Sequence, residues 1–591
     1  MGNSAINGAQ LKQNISRPTG ASAESRSEEG FHVPFALIAA LIIVLAAILR
    51  LGHISRYEIW LDEAYCFAVA KGSMSEIIQA LRLDNGPPLY YMMLHFWMRM
   101  FRESPFALRS LSALFSIASV AVVLMWKTPW LSRRARITAG FIFAITPLAL
   151  YYAQEARMYS PVMFFSLLSI VFLERGLRAG GIRDWCALSL STALALYTSY
   201  IAIFLVPVGY FAALLAFHRE RKTALLTRRV RCMLAAHAAA GVLFLPWLPI
   251  FINQPREVAT QWIARMPGRP HPAVMPLQSL LVMTPGGARY PSYLRQLRWD
   301  IARYDATVDA IEDGLEDRAV VKILASVHPN LMLAVAVLFT LAALSLALNR
   351  PADNFPARAL LVSWLLLPIA APLVLSLRHP MYLVGRYEIT ALPAMAILAG
   401  IGISRFRPPW RAVALVAAGV LAFYSWGWAL TFPGRGRQPE RGALVAQTAR
   451  RGDVILALLF EYAPIYYYMG AERDRSEFVT YPRDTIEHSA WIDYERWLKP
   501  ANDYEVTRNE LREEAHLTVA ETAGRMTPGS RLIIVRPRRP IPQWGVAMEA
   551  PLIAAVEALV PDTLLLHPTH SRPDMGILVF EKALTAPSMS P

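Results

Sequence analysis

From residue 34 to residue 430 the chain is built of long apolar blocks separated by short polar stretches. After a first block from Pro34 to about Leu51, runs of roughly 15 to 22 apolar residues, the length that about 30 Å of hydrocarbon requires, recur at 107–126, 137–152, 159–173, 186–199 and 201–217. Five more lie at 232–252, 330–348, 359–377, 389–403 and 412–430. The first block is too long for a signal-peptide core and is followed by Arg50 and His53 rather than a small-residue cleavage site, so it reads as a retained helix. The expected fold is an α-helical polytopic membrane protein of about 11 transmembrane helices. Residues 1–30, rich in Gly, Asn, Ser, Ala and Glu, have no aromatic side chain and are expected to be a disordered cytoplasmic tail. Beyond residue 430 the pattern changes. Strand-like runs (Asp453–Leu459, Leu532–Val535, Gly576–Phe580) alternate with helical ones (Ala463–Met469, Leu552–Leu559), which predicts a C-terminal α/β domain over 431–591.

Composition and charge sharpen this picture. Of 591 residues 55% are hydrophobic and 17% charged, against about 25% charged in soluble domains, which argues against a soluble multidomain protein. The net charge of +15 first suggests nucleic acid. Its distribution points to membrane orientation instead. With a cytoplasmic N-terminus, the inside loops (127–136, 174–185, 218–231, 349–358, 404–411) hold 18 Lys or Arg and 4 Asp or Glu, whereas residues 431–591 hold 19 and 21. That is the positive-inside pattern, and no nucleic-acid partner is expected. An odd number of spans puts the C-terminal domain outside the cytoplasm, along with the long loops 55–106 and 253–329 of the 31–430 transmembrane domain. Three scattered cysteines make neither a disulfide framework nor a CxxC site, and the phosphate-binding loop GxxxxGK[ST] is absent.

The outer loops carry the candidate chemistry. In the first, WLDEAY sets Asp62 and Glu63 among Trp60, Leu61, Tyr65 and Phe67, where a carboxylate must find a partner or change its pKa. Downstream come Asp84-Asn85-Gly86-Pro87-Pro88-Leu89-Tyr90-Tyr91 and then FALRSLSALF. Arg157 follows the third span and Arg386 precedes the tenth, on the side where orientation does not call for cations, and each has a tyrosine close by, Tyr159 and Tyr387. Arginine at a hydrocarbon boundary is costly unless it snorkels or pairs. The Tyr466-Tyr467-Tyr468 run reads as core of the C-terminal domain. His567, His570 and Asp574 lie among prolines and read as a polar loop. Gly434 and Gly436 lack the third glycine and the preceding strand of a dinucleotide site.

With QEARMYS (154–160), YTSY (197–200), LPWLP (245–249) and Gly385-Arg386-Tyr387 added, the chain resembles the C-type polytopic membrane glycosyltransferases over residues 34 to about 400. The similarity is to the protein O-mannosyltransferase, aminoarabinose transferase and rhizobial galacturonosyltransferase-like groups. It implies an inverting glycosyltransferase of the bacterial inner membrane. The sugar would pass from a polyprenyl-phosphate donor to an envelope lipid, glycan or protein on the outer face. In that chemistry Asp62 is the candidate base, and Glu63 and Asp84 are candidates for acceptor binding. Asp62, Glu63 and Asp84 are also candidates for a divalent cation, the one cofactor left open. Arg157, Tyr159, Arg386, Tyr387 and His379 are candidates for the donor phosphate. Gly86 stands where the family often has His or another polar residue. The rival is a transporter or flippase for lipid-linked glycans, which would place ionisable residues inside the spans. Here the spans are nearly free of them.

Overall fold

The computed structural model describes residues 34–220, 223–255, 274–286, 355–431, 437–483, 504–537, 564–566 and 571–582, with isolated positions besides. The expected tail 1–30, the span 330–348, most of the loop 253–329, most of the helical run 552–559, and Gly434, Gly436, His567 and His570 lie outside the described residues.

The N-terminal part is helical throughout: α1 (Phe35–Leu51), α2 (Leu61–Lys71), α3 (Met74–Arg82), α4 (Leu89–Phe101), α5 (Pro105–Met125), α6 (Arg133–Ile145), α7 (Pro147–Ala153), α8 (Tyr159–Ala179), α9 (Ile182–Thr198), α10 (Val206–Glu220), α11 (Thr223–Phe244), α12 (Leu248–Asn253), α13 (Met275–Val282), α14 (Phe355–Leu375), α15 (Leu392–Ser404) and α16 (Pro408–Thr431). Among them α5, α8 and the Pro356–Leu375 stretch of α14 are long and apolar enough to cross a membrane. A fourth span results if α6 and α7, bent by 57° at their junction, are counted together. Four further apolar helical stretches are shorter, so the described helices give a mostly helical chain with several apolar helices and do not establish eleven spans.

The run 137–152, expected as one span, is two helices for a local reason. Pro147 has no N–H to give the Phe143 carbonyl, and Thr146 turns out of the helix at φ −63°, ψ 122°. The exposed carbonyls are met by Arg50 at the end of α1. It is fully buried and donates to the oxygens of Ala144 (2.8 Å) and Phe143 (3.3 Å) and to Ser116 Oγ (2.8 Å). A buried guanidinium is tolerable only when its donors are matched in this way. The centre of the bundle is α15, buried from Leu392 to Ile403 and packed on α6. A Cβ at Gly400 would stand 2.6 Å from the Ala139 backbone nitrogen, so these two helices approach as closely as they do because glycine faces alanine.

The C-terminal residues form a five-stranded sheet of order β2-β1-β3-β5-β4 from β1 (Val454–Leu458), β2 (Glu477–Tyr481), β3 (Arg531–Val535), β4 (Leu564–Leu566) and β5 (Ile577–Lys582). The strands β2, β1 and β3 run parallel, and β5 is antiparallel to both β3 and β4. Alternation splits the side chains between two faces. Val454, Leu456, Leu532 and Ile534 pack against Ala515 and Val519 of α19 (Tyr504–Arg525), while Ile455, Ile533 and Ile577 pack against Val445 of α17 (Gln438–Thr448) and Ile465 of α18 (Tyr462–Tyr468).

The tyrosine run in α18, expected as core of its own domain, is instead the joint with the first loop. Tyr468 Oη accepts the Ile59 N–H at 2.6 Å, Tyr467 donates to the Glu103 carbonyl at 3.0 Å, and the Tyr467 ring sits edge-on to Phe67 at 5.0 Å. Arg473 adds an ion pair to Glu103 at 3.1 Å.

Candidate functional site

Asp62 and Glu63 both lie in the first turn of α2, where a carboxylate suits the helix dipole. Successive helical residues point about 100° apart, and the two side chains go to different places. Glu63 turns inward and is fully buried. Arg109 of α5 grips it with two bonds, Nε at 2.7 Å and Nη2 at 2.6 Å, and the Ala156 N–H donates to it at 2.8 Å. The other guanidinium protons of Arg109 go to the carbonyls of Ile54 (2.8 Å), Tyr57 (2.9 Å) and Glu58 (2.9 Å). All five donors are used. Glu63 therefore braces the first loop, α2, α5 and the segment before α8, with its side chain closed off from solvent. Glu63→Gln leaves the Arg109 charge buried without its counter-charge, which typically costs about 3–5 kcal/mol. We expect a clearly lowered unfolding temperature in detergent for this variant and little change for Asp62→Asn; equal unfolding temperatures for Glu63→Gln and wild type would remove the brace.

Asp62 stays partly open, with its side chain 18% exposed. Its Oδ2 lies 3.5 Å from Arg157 Nη2 and 3.9 Å from Arg386 Nη2, so one carboxylate faces two guanidiniums from distant parts of the chain. Both guanidiniums stand over the Tyr159 ring, at 5.8 Å and 5.9 Å from its centroid, within cation–π range. Burial works against the charge on Arg157, but Asp62 together with the neighbouring thiol and phenols outweighs it, and the group is held well above its ordinary pKa. Arg386 is likewise raised, with Tyr159 and Asp62 outweighing burial. The Arg157 Nε–H is buried and has no acceptor among the described residues, although its backbone carbonyl is bonded by Ser112 Oγ at 3.0 Å.

Asp84 is linked to this cluster along α2. Tyr65 and Cys66 stand three and four residues beyond Asp62, on the same helix face. Cys66 Sγ is 3.6 Å from Arg157 Nη1, the Tyr65 ring stands edge-on to Tyr91 at 6.4 Å, and the Tyr91 hydroxyl donates to Asp84 Oδ2 at 3.3 Å. Burial pushes the Cys66 thiol up to about 12 and the Tyr65 and Tyr91 phenols well above their ordinary values, so all three remain neutral hydrogen-bonding groups at physiological pH. A Cβ at Gly86 would stand 3.3 Å from Asp84 Oδ2, and the Gly86 carbonyl accepts from Gln254 Nε2 at 3.1 Å. Glycine leaves the approach to Asp84 clear.

Tyr387 does not contact the two guanidiniums among the described ring contacts; it stacks on Tyr382 at 5.0 Å. His379 is exposed in the turn after α14, its backbone N–H bonded to the Leu375 carbonyl, and no described contact joins it to Asp62, Arg157 or Arg386. The carboxylates do not fit a divalent cation: Asp62 is engaged by two cations, Asp84 accepts from the Tyr91 hydroxyl and from the Asn85 N–H, and among the described residues no three His, Cys, Asp or Glu gather as metal ligands. Arg109 and Glu388 were not singled out from the sequence. The available signal was a charged residue at the edge of an apolar run, which rarely survives without a structural or catalytic task.

Comparison with known proteins agrees with the resemblance seen in the motifs. Residues 85–250 match the family model described as dolichyl-phosphate-mannose-protein mannosyltransferase. The structure is similar to the archaeal oligosaccharyltransferase AglB from Archaeoglobus fulgidus, in complex with an inhibitory peptide and a dolichol-phosphate, with 13% identity over 94% of this chain and 75% of that chain and a TM-score of 0.50. It is also similar to ArnT from Cupriavidus metallidurans bound to undecaprenyl phosphate, with 14% identity over 94% and 98% of the two chains and a TM-score of 0.41. The S. cerevisiae protein O-mannosyltransferase Pmt1-Pmt2 complex matches over 39% of this chain and 35% of that one, at 17% identity and a TM-score of 0.29. No curated protein sequence matches the chain. The resemblance to C-type polytopic glycosyltransferases thus rests on the family match and on a shared fold.

Proposed function

We propose that this protein is an integral membrane glycosyltransferase that moves a sugar from a polyprenyl-phosphate donor to an envelope acceptor on the outer face of the bacterial inner membrane. The observation that carries the reading is the meeting of Asp62, Arg157 and Arg386 over Tyr159, with a buried guanidinium N–H left over. Two convergent guanidiniums suit a phosphate, whose oxygens accept paired N–H donors. A lipid phosphate is also the ligand in the AglB complex, a dolichol-phosphate, and the loop charges counted above favour the outer face.

In the proposed reaction the acceptor hydroxyl lies against Asp62 and the donor phosphate lies between Arg157 and Arg386. The acceptor oxygen attacks the anomeric carbon from the face opposite the phosphate and forms the new glycosidic bond. The bond from that carbon to the phosphate oxygen breaks, and its electron pair leaves with the lipid phosphate. The hydroxyl proton passes to Asp62. The anomeric configuration inverts because entry and departure are on opposite faces. The two guanidiniums stabilise charge that grows on the departing phosphate as the bond breaks, which is where preorganised donors accelerate a reaction.

Undecaprenyl phosphate, which presents the departing group alone, should bind here and raise the unfolding temperature, since a ligand at about 100 times its Kd adds about 2.7 kcal/mol. Thermal unfolding of the purified protein checks this. Arg157→Ala should abolish the shift, and a wild-type protein indifferent to undecaprenyl phosphate would sink the lipid-phosphate reading.

A further inference from the structure

Each arginine of the cluster is preceded by a residue whose backbone N–H is held by a buried carboxylate. Ala156, before Arg157, donates to Glu63 Oε1 at 2.8 Å, and Gly385, before Arg386, donates to Glu388 Oε2 at 2.7 Å. Glu63 and Glu388 are both fully buried. Glu63 is matched by Arg109. Glu388 is matched differently: its Oε1 accepts from the Tyr382 hydroxyl at 2.7 Å, and that hydroxyl is 2.7 Å from Ser279 Oγ of α13. The bond from Gly385 closes a tight turn in which Gly385 has φ +93°, a conformation that favours glycine. Its far end enters the short helix Tyr387–Thr390, whose Tyr387 is stacked on Tyr382. The side chain of Glu388 thus pins both the backbone just before Arg386 and the ring beneath the residue just after it.

We propose that Glu388 is a positioning residue for lipid-phosphate recognition, fixing through Gly385 and Tyr382 the turn that aims Arg386 at the donor phosphate, as Glu63 fixes the segment that aims Arg157. This rests on the lipid-phosphate reading of the Asp62 cluster. The device works by accepted hydrogen bonds. Glutamine at 388 keeps one carbonyl oxygen for the Gly385 N–H, and its amide can donate to the Tyr382 oxygen while that hydroxyl turns its proton to Ser279. Alanine keeps neither bond. Phenylalanine at 382 keeps the stacked ring and removes the hydroxyl on which the glutamine substitution depends.

The test measures undecaprenyl phosphate binding to the purified full-length protein, together with KM and kcat once a donor is in hand. Glu388→Ala should weaken binding by about tenfold or more, the scale of one lost charge-assisted hydrogen bond, and raise the donor KM more than it lowers kcat. Glu388→Gln should stay within about threefold of wild type, a fraction of that loss. Glu388→Gln combined with Tyr382→Phe keeps the Gly385 bond but loses the Tyr382 one, so it should bind more weakly than Glu388→Gln and less weakly than Glu388→Ala, which keeps the proposal open to refutation even where Glu388→Ala does not insert. Wild-type affinity in a well-folded Glu388→Ala protein, or in the Glu388→Gln, Tyr382→Phe double variant, overturns the positioning role. Absence of binding by wild type is a different failure, that of the lipid-phosphate site itself.

Discussion

Asp62→Asn should insert and fold normally yet transfer sugar about 10²- to 10⁴-fold more slowly, the usual contribution of a general base. The substitution keeps the volume of the side chain and one accepting oxygen, so Arg157 and Arg386 retain a neighbour to bond. It removes the charge and the basicity that take the acceptor proton. Because the side chain is partly open and carries none of the buried load that Glu63 carries, its loss reads out in kcat rather than in stability. Initial rates of transfer in reconstituted vesicles, beside an unfolding curve for the same preparation, separate the two effects. Wild-type turnover in a well-inserted Asp62→Asn protein moves the base to another group, with Asp84, in the loop between α3 and α4, next in line.

Arg386→Lys should retain insertion and part of the donor binding but lose most turnover, while Arg386→Ala loses both. A guanidinium offers two parallel N–H donors in a plane, and an ammonium is a point charge that cannot reproduce them. The Tyr159 ring beneath Arg386 adds to the difference, since a flat cation covers an aromatic face better than a compact, strongly hydrated one. A cation that merely reaches lipid headgroups is replaceable by lysine. Equal rates for Arg386→Lys and wild type would therefore exclude a bidentate phosphate contact. Arg157→Lys, assayed alongside, shows whether the two arginines share the task.

Asp62, Arg157 and Arg386 were legible in the sequence because each breaks the apolar pattern of its surroundings and so needs a reason to be there, and Tyr159 came in as the neighbour of Arg157. The partition between Asp62 and its neighbour was not legible. A 100° step along one helix separates a carboxylate in the cleft from one locked to Arg109, and only the placement of α5 reveals which is which. His379 and Tyr387 show the converse, since nearness in sequence to Arg386 does not fix where a side chain points. Arg50 looked like a flanking charge because its carbonyl partner Ala144, just before the break at Thr146 and Pro147, lies 94 residues away. In the C-terminal part the strands β1, β3 and β5 were visible as apolar runs. Edge strand β2, with its exposed Glu477, and the polar helix α19 carry weaker patterns, and α18 faces two cores, so its tyrosines could not be assigned to one.

The central claim is that lipid-phosphate chemistry takes place at the Asp62 cluster. The most direct measurement places the full-length protein in vesicles with undecaprenyl-phosphate monosaccharides and an envelope extract, then follows the sugar and the lipid together by mass spectrometry. One free undecaprenyl phosphate should appear for every sugar transferred, with both products falling together by about 10²- to 10⁴-fold for Asp62→Asn. Donor that crosses the bilayer intact, with no free lipid phosphate released, would contradict it and identify a carrier of lipid-linked glycans instead.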